Sequence, residues 1–114
     1  MTKLLLGLIG SGIQRSLAPA LQEEEGRHHG LRVHYQLIDA GNEALPTLIA
    51  AARLMRFAGL NITFPCKQAV IPLLDDLSQE ARAIGAVNTI VRDGECLKGN
   101  SFRAQIDSAI SRGR

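Results

Sequence analysis

Lys67 closes the segment Asn61-Ile62-Thr63-Phe64-Pro65-Cys66-Lys67, the stretch of this chain best suited to proton chemistry. Asn61 and Thr63 alternate along an expected strand end, so their side chains share a face and can bind the hydroxyls of a polar ligand. Pro65 reads as the start of a helix, which puts Lys67 in its first turn, facing the positive end of the helix dipole. With partial burial, that placement favours the neutral amine and suits a general acid/base. The alternative is an exposed lysine whose position costs about 0.3–1 kcal/mol. Asn88 lies within the apolar Ile84-Gly85-Ala86-Val87-Asn88-Thr89. A buried amide there needs partners, from a ligand or from neighbouring backbone, or it costs about 1–3 kcal/mol. Gly10-Ser11-Gly12 follows an apolar run, with Asp39 ending the next strand, and invites a dinucleotide reading. Arg15 stands where that fingerprint needs its third glycine, and a simple tight turn is the competing reading. His28, His29 and His34 are expected to lack a carboxylate one helical turn away, so no metal site is expected.

The elements that must position these residues follow from periodicity. Leu4 to Ile9 is continuously apolar, the mark of a central parallel strand. Ser16 is a candidate N-cap for a helix with Pro19 in its first turn and Glu23-Glu24-Glu25 on its solvent side. Arg32 to Asp39 alternates and reads as a second strand. Asn42 to Arg56 carries Leu45, Leu48, Ile49, Ala52 and Met55 at helical spacing, with Asn42 as cap. Gly59 to Thr63 is a short strand. The helix from Pro65 is kinked or ended at Pro72. Ser78 caps a helix to Ile84. Ala86–Arg92 and Glu95–Lys98 form a hairpin around Asp93-Gly94. Phe102 to Ile110 reads as a polar-faced helix. Strands alternating with helices predict an α/β fold: a three-layer α/β/α sandwich, its sheet mostly parallel with an antiparallel edge hairpin. Ligands of such sheets sit at the carboxyl ends of the strands, where Gly10–Ser16 and Asn61–Lys67 fall.

The chain has 114 residues, one domain's length, with 46% apolar and 21% charged residues, which excludes wholesale disorder. A net charge of +2, four aromatics and no basic run argue against nucleic-acid binding. No apolar stretch is long enough to span a membrane, and Leu4 to Ile9 is short for a signal peptide. Cys66 and Cys96, outside any CxxC pattern, fit free thiols in a reducing, cytoplasmic setting.

Taken together, GLIG…RSLAPAL (7–21), GLNITFPCKQAVIPLLD (59–75) and ARAIGAVNTIV (81–91) resemble the substrate-binding domain of the shikimate dehydrogenase family, including its quinate/shikimate relatives. The resemblance implies that residues 1–100 form the substrate domain. It implies that 101–114 are a linker helix towards a Rossmann domain absent from this chain, which would hold NADP or NAD. It implies a small-molecule substrate: 3-dehydroshikimate, shikimate or quinate. By position, Ser16 would hold the substrate carboxylate, Asn61, Thr63 and Asn88 the ring hydroxyls, and Lys67 would be catalytic. Two places depart from the family's pattern. Ala18 replaces a second serine. Gly99-Asn100-Ser101-Phe102-Arg103 has no acid where the family has Asn-Thr-Asp. Those departures leave open a binding domain that has lost catalysis, and a dinucleotide-binding domain is a third reading. The fragment alone is expected to be inactive. Its open cleft face leaves homodimer formation open.

Overall fold

The computed structural model describes residues 3–101. The helix expected over 102–110 and all but the first residue of the expected linker lie outside that range. Strand β1 (Lys3–Gly10) is followed by helix α1 (Ala18–His28), β2 (Arg32–Asp39), α2 (Leu45–Leu54) and β3 (Gly59–Ile62). Then come β4 (Asp76–Leu77), α3 (Gln79–Ile84), β5 (Thr89–Asp93) and β6 (Cys96–Asn100). The six strands form one sheet in the order β2-β1-β3-β5-β6-β4. β1 pairs in parallel with β2 and β3, β5 is antiparallel to β3 and β6, and β4 runs parallel to β6. Only β5 opposes the common direction. The fold is therefore the expected mixed α/β one, but its hairpin is not at the edge: the two-residue β4 covers the outer side of β6.

The apolar run of β1 feeds both faces of the sheet. Leu6 and Leu8 pack with Ile13, Leu31 and Tyr35 on one side, where α1 contributes Ala18. Ile9 packs on the other with Leu45, Ile49 and Ala52 of α2, Leu60, Ile62 and Ile90 of the sheet, and Ala81 of α3. Each such aliphatic side chain stabilises the fold by about 1.5–3 kcal/mol relative to exposure.

Local chemistry shifted several boundaries. Asn42 opens a single 3₁₀ turn, and α2 begins only at Leu45, with Pro46 in its first turn. The expected helix from Pro65 does not form. Turns follow a cis Phe64–Pro65 peptide, and a 3₁₀ turn occupies Ile71–Leu73. Pro72 has no N–H to give, and a proline disfavours the helical conformation in the residue before it. Ser78 does cap α3, accepting from Ala81 N at 3.1 Å, and Gly85 ends it at φ 75°. The hairpin pairs Asp93 with Cys96, so β6 runs on to Asn100.

Candidate functional site

The carboxyl ends of β1, β3 and β6 and the amino end of β5 meet at one end of the sheet, and the backbone ties their continuations together. Thr63 N donates to Ile9 O at 2.9 Å, and Ser11 N to Phe64 O at 2.9 Å. Cys66 N donates back to Thr63 O at 2.9 Å, which turns the chain across the strand ends. Val87 N then donates to Lys67 O at 2.8 Å, seating Lys67 beside the segment that leads into β5. Asn88 bridges two strands through its backbone: its O accepts from Ile62 N at 2.7 Å and its N donates to Asn100 O at 2.9 Å. Thr63, Lys67 and Asn88, each half-buried, therefore sit on segments bonded to one another along this rim.

Gly10 explains how β1 comes so close. A Cβ there would run into Thr63 Cγ2 and lie 2.9 Å from Phe64 O. Glycine is needed for that approach, not for a phosphate.

Ser16 stands after the carboxyl end of β1, one residue before the N-cap Leu17 rather than at the cap. Its Oγ accepts from Ala18 N at 3.1 Å, so the hydroxyl hydrogen remains to be donated elsewhere. No hydrogen bond among the described residues joins it to Thr63, Lys67 or Asn88.

Asn61 lies one row deeper, only 4% exposed. Its Oδ1 accepts from Tyr35 Oη at 2.6 Å, and its Nδ2 donates to Thr89 Oγ1 at 3.3 Å. Alternation assigned its face correctly but not its depth. Tyr35 and Thr89 were not singled out from the sequence. The available signal was a hydroxyl-bearing residue in each of two strands otherwise read as core.

The helix-dipole ground for Lys67 lapses, since no α-helix begins at Pro65. Its neighbour Cys66 is fully buried, and that burial, then the Glu43 carboxylate, pushes the thiol upward and keeps it protonated. Both cysteines are free. The histidine expectation needs correcting. His28 and His29 do meet Glu24 and Glu25 one turn back on α1, at 3.5 and 3.1 Å. The two contacts use different carboxylates, and no cluster of three metal-ligating residues occurs among the described residues. Nor is any helix among them long and apolar enough to cross a membrane.

The Gly10-Ser11-Gly12 loop does not fit a dinucleotide phosphate. Ser11 N is taken by Phe64 O, Ser11 Oγ donates to Ala40 O at 3.2 Å, and Gly12 N donates to Asp39 Oδ1 at 3.1 Å. These three donors are engaged within the protein, and a carboxylate stands at the loop. A separate recess at the amino ends of β1 and β2, lined by Lys3, Arg32, His34 and Arg56 among others, lies away from the rim.

A mixed α/β domain with hydroxyl, amide and ammonium groups along its strand ends has the chemistry to bind small polar molecules. Comparison with known proteins narrows the class. The family described as "Shikimate dehydrogenase substrate binding domain" matches residues 8–90, and the chain belongs to that family. It is 50% identical, over 96% of its length, to the shikimate dehydrogenase (NADP(+)) of Streptomyces avermitilis, of which it covers 40%. It is 50% identical, over 79% of its length, to the quinate/shikimate dehydrogenase (NAD(+)) of Corynebacterium glutamicum strain R, of which it covers 34%. The crystal structure of shikimate 5-dehydrogenase from Listeria monocytogenes, in complex with shikimate and NAD, superposes with a TM-score of 0.82. The two are 35% identical, and the match covers 86% of this chain and 34% of that one. This chain thus spans well under half the length of these relatives, corresponding to their substrate-binding part. Their names are those of dehydrogenases, so the alternative of a domain that has lost catalysis finds no support.

Proposed function

We propose that this chain supplies the substrate half of an NAD(P)-dependent dehydrogenase that interconverts a ring alcohol and ring ketone, with shikimate and 3-dehydroshikimate, or quinate, as the pair. The observation that supports the reading is the Val87 N to Lys67 O bond of 2.8 Å, which ties the segment carrying Lys67 to the one that carries Asn88. Hydroxyl-binding groups next to a proton carrier suit exchange at a ring oxygen.

In this reading Lys67 Nζ gives a proton to the ketone oxygen, or takes it from the alcohol. The Thr63 hydroxyl binds a ring hydroxyl. Ser16 donates its O–H to the ring carboxylate, a charge-assisted bond. Asn88 Nδ2 donates one hydrogen to Ser101 O at 2.5 Å, which leaves its second N–H and Oδ1 for a ligand. Oδ1 accepts from a ring hydroxyl, and the second N–H can donate to a ring oxygen. Asn61 acts from beneath, through Tyr35 and Thr89. In such chemistry a nicotinamide cofactor would supply hydride to the ketone carbon or accept it from the alcohol carbon. The described residues do not fit it, so it would be held by protein outside residues 3–101.

Isothermal titration of the chain with shikimate and with quinate tests the reading. Saturable binding of at least one, weakened about tenfold or more by Thr63→Val and by Asn88→Leu, is expected, since each removes a bond worth about 1.4 kcal/mol. Absence of binding, or binding indifferent to both substitutions, overturns it.

A further inference from the structure

The buried polar residues among those described number three, Asn61, Thr89 and Asn100, at 4%, 0% and 9% exposure. They form a single row. Asn61 is in register with Thr89 across β3 and β5, and Thr89 with Asn100 across β5 and β6. Residues in direct register share a face of the sheet. In a core otherwise built of aliphatic side chains, three polar groups in adjacent strands at one level are not scattered exceptions. The row continues past β1 to Tyr35, itself 3% exposed, whose hydroxyl donates to Asn61 Oδ1 at 2.6 Å. Leu6 pairs with Tyr35 on one side and Gly59 on the other, so the tyrosine spans β1 to reach the next level of β3.

The level of this row is what gives it a role. Thr63 lies two residues beyond Asn61, Asn88 immediately precedes Thr89, and Ser101 follows Asn100. Asn61, Thr89 and Asn100 thus each lie within two residues of the strand ends where the rim begins. Aliphatic contacts are non-directional and tolerate sliding of one strand on another. Hydrogen bonds of 2.6 and 3.3 Å between Tyr35, Asn61 and Thr89 fix lateral spacing and register at the level where the strands deliver the rim.

We infer that Tyr35 is a positioning residue for ligand binding. Acting through Asn61 and Thr89, it sets the separation of the β3 and β5 ends, and with it the spacing of Thr63 from Asn88. This inference rests on the proposed function and names a residue, on the far edge strand, that touches no substrate.

The test uses the whole chain and isothermal titration with shikimate and quinate, alongside thermal unfolding of each variant. Tyr35→Phe keeps the ring in its place and removes only the hydroxyl. Thr89→Val keeps the shape and removes the other hydroxyl, while Thr89→Ser restores it. Ile49→Val, in the core on the opposite face, serves as a control that loosens the fold without touching the row. Tyr35→Phe and Thr89→Val are expected to weaken binding about five- to tenfold, Thr89→Ser to recover most of the loss, and Ile49→Val to leave affinity unchanged although it melts earlier. Equal affinity in wild type, Tyr35→Phe and Thr89→Val overturns the inference while leaving the proposed function intact. An equal loss in Ile49→Val also overturns it, because affinity would then follow general stability. If wild type binds neither ligand, both readings fall together.

Discussion

Gly10→Ala is the substitution in which fold and site are most tightly coupled. The new Cβ would collide with Thr63 Cγ2 and sit 2.9 Å from Phe64 O. The methyl group of Thr63 could rotate away. The carbonyl cannot, because it accepts from Ser11 N and belongs to the turn that carries Lys67. Relief must come from separating β1 from the 63–64 backbone, at the expense of the Thr63 N to Ile9 O bond of 2.9 Å. Overpacking of this kind costs about 1–3 kcal/mol. The lower chain entropy of alanine in the unfolded state returns about 0.4–1 kcal/mol. The net is about 1–2 kcal/mol, a fall in Tm of roughly 4–8 °C per kcal/mol for a domain near this size. Gly12→Ala is the natural comparison. It sits at φ 71° with nothing within 4 Å of its Cβ, so it carries backbone strain without a collision. Thermal unfolding should show a loss in both variants. Titration with shikimate should show weaker binding in Gly10→Ala alone, because only there is Thr63 displaced. Wild-type Tm and affinity in Gly10→Ala would refute the claim that the end of β1 is packed directly against the site.

Ser78→Ala removes the side-chain acceptor for Ala81 N and should cost about 1 kcal/mol in urea unfolding, with the slope unchanged. Asp75 is held below the usual carboxylate range, first by its hydrogen bond from Arg53 and then by the N–H of Leu97. The unfolded chain therefore binds the proton more readily, and stability rises with pH across this group's titration. The Asp75 contribution is fully present above the unfolded carboxylate value and disappears as pH falls through the folded one. Urea midpoints measured in acid should fall less steeply in Asp75→Asn than in wild type. Cys66 is buried with its thiol held protonated, whereas Cys96 is partly exposed, so iodoacetamide followed by mass spectrometry should modify Cys96 first and Cys66 only on unfolding.

Much of this architecture was legible because the chain states it locally. The apolar run of β1 is typical of a strand buried on both faces, and Asp93-Gly94 is a strong hairpin-turn signal. What escaped depends on partners distant in sequence. β4 is two residues long and exists because Asp76 and Leu77 find Lys98 and Gly99 in register. No local pattern announces it. Residues 65–70 carry helical apolar spacing, yet Val70 N to Cys66 O at 3.1 Å closes a single turn that is not propagated. One turn is the costly part of a helix, and Pro72 removes the bonds that would repay it. Among the candidate site residues, the shared face of Asn61 and Thr63 was readable from alternation, whereas the helix expected to carry Lys67 does not form. Depth was not readable: whether Asn61 meets ligand or core is decided by Tyr35, which lies 26 residues away in sequence.

In the proposed reading the two departures from the family pattern bear on the ligand, and the fold accommodates both. Ala18 is half-buried at the start of α1 and packs against the Leu6–Leu8 side of the sheet, as a small side chain there should. What it lacks is a second hydroxyl beside Ser16. The segment after β6 still completes its ladder: Asn100 pairs with Thr89, and Ser101 O receives the Asn88 amide. The alignment to the Streptomyces relative runs over 115 residues while covering 96% of a 114-residue chain, so some positions of that relative have no counterpart here. Strand pairing absorbs a length change at a strand end easily, because the sheet is already closed before it. Recognition does not, because an acceptor or donor removed from a rim leaves its ligand partner unpaired, at about 1–3 kcal/mol for each polar group. A chain can therefore keep every strand of this domain and still bind a different member of the same class of hydroxylated acids. Affinity across ring acids, more than stability, is where the individuality of this sequence should be sought.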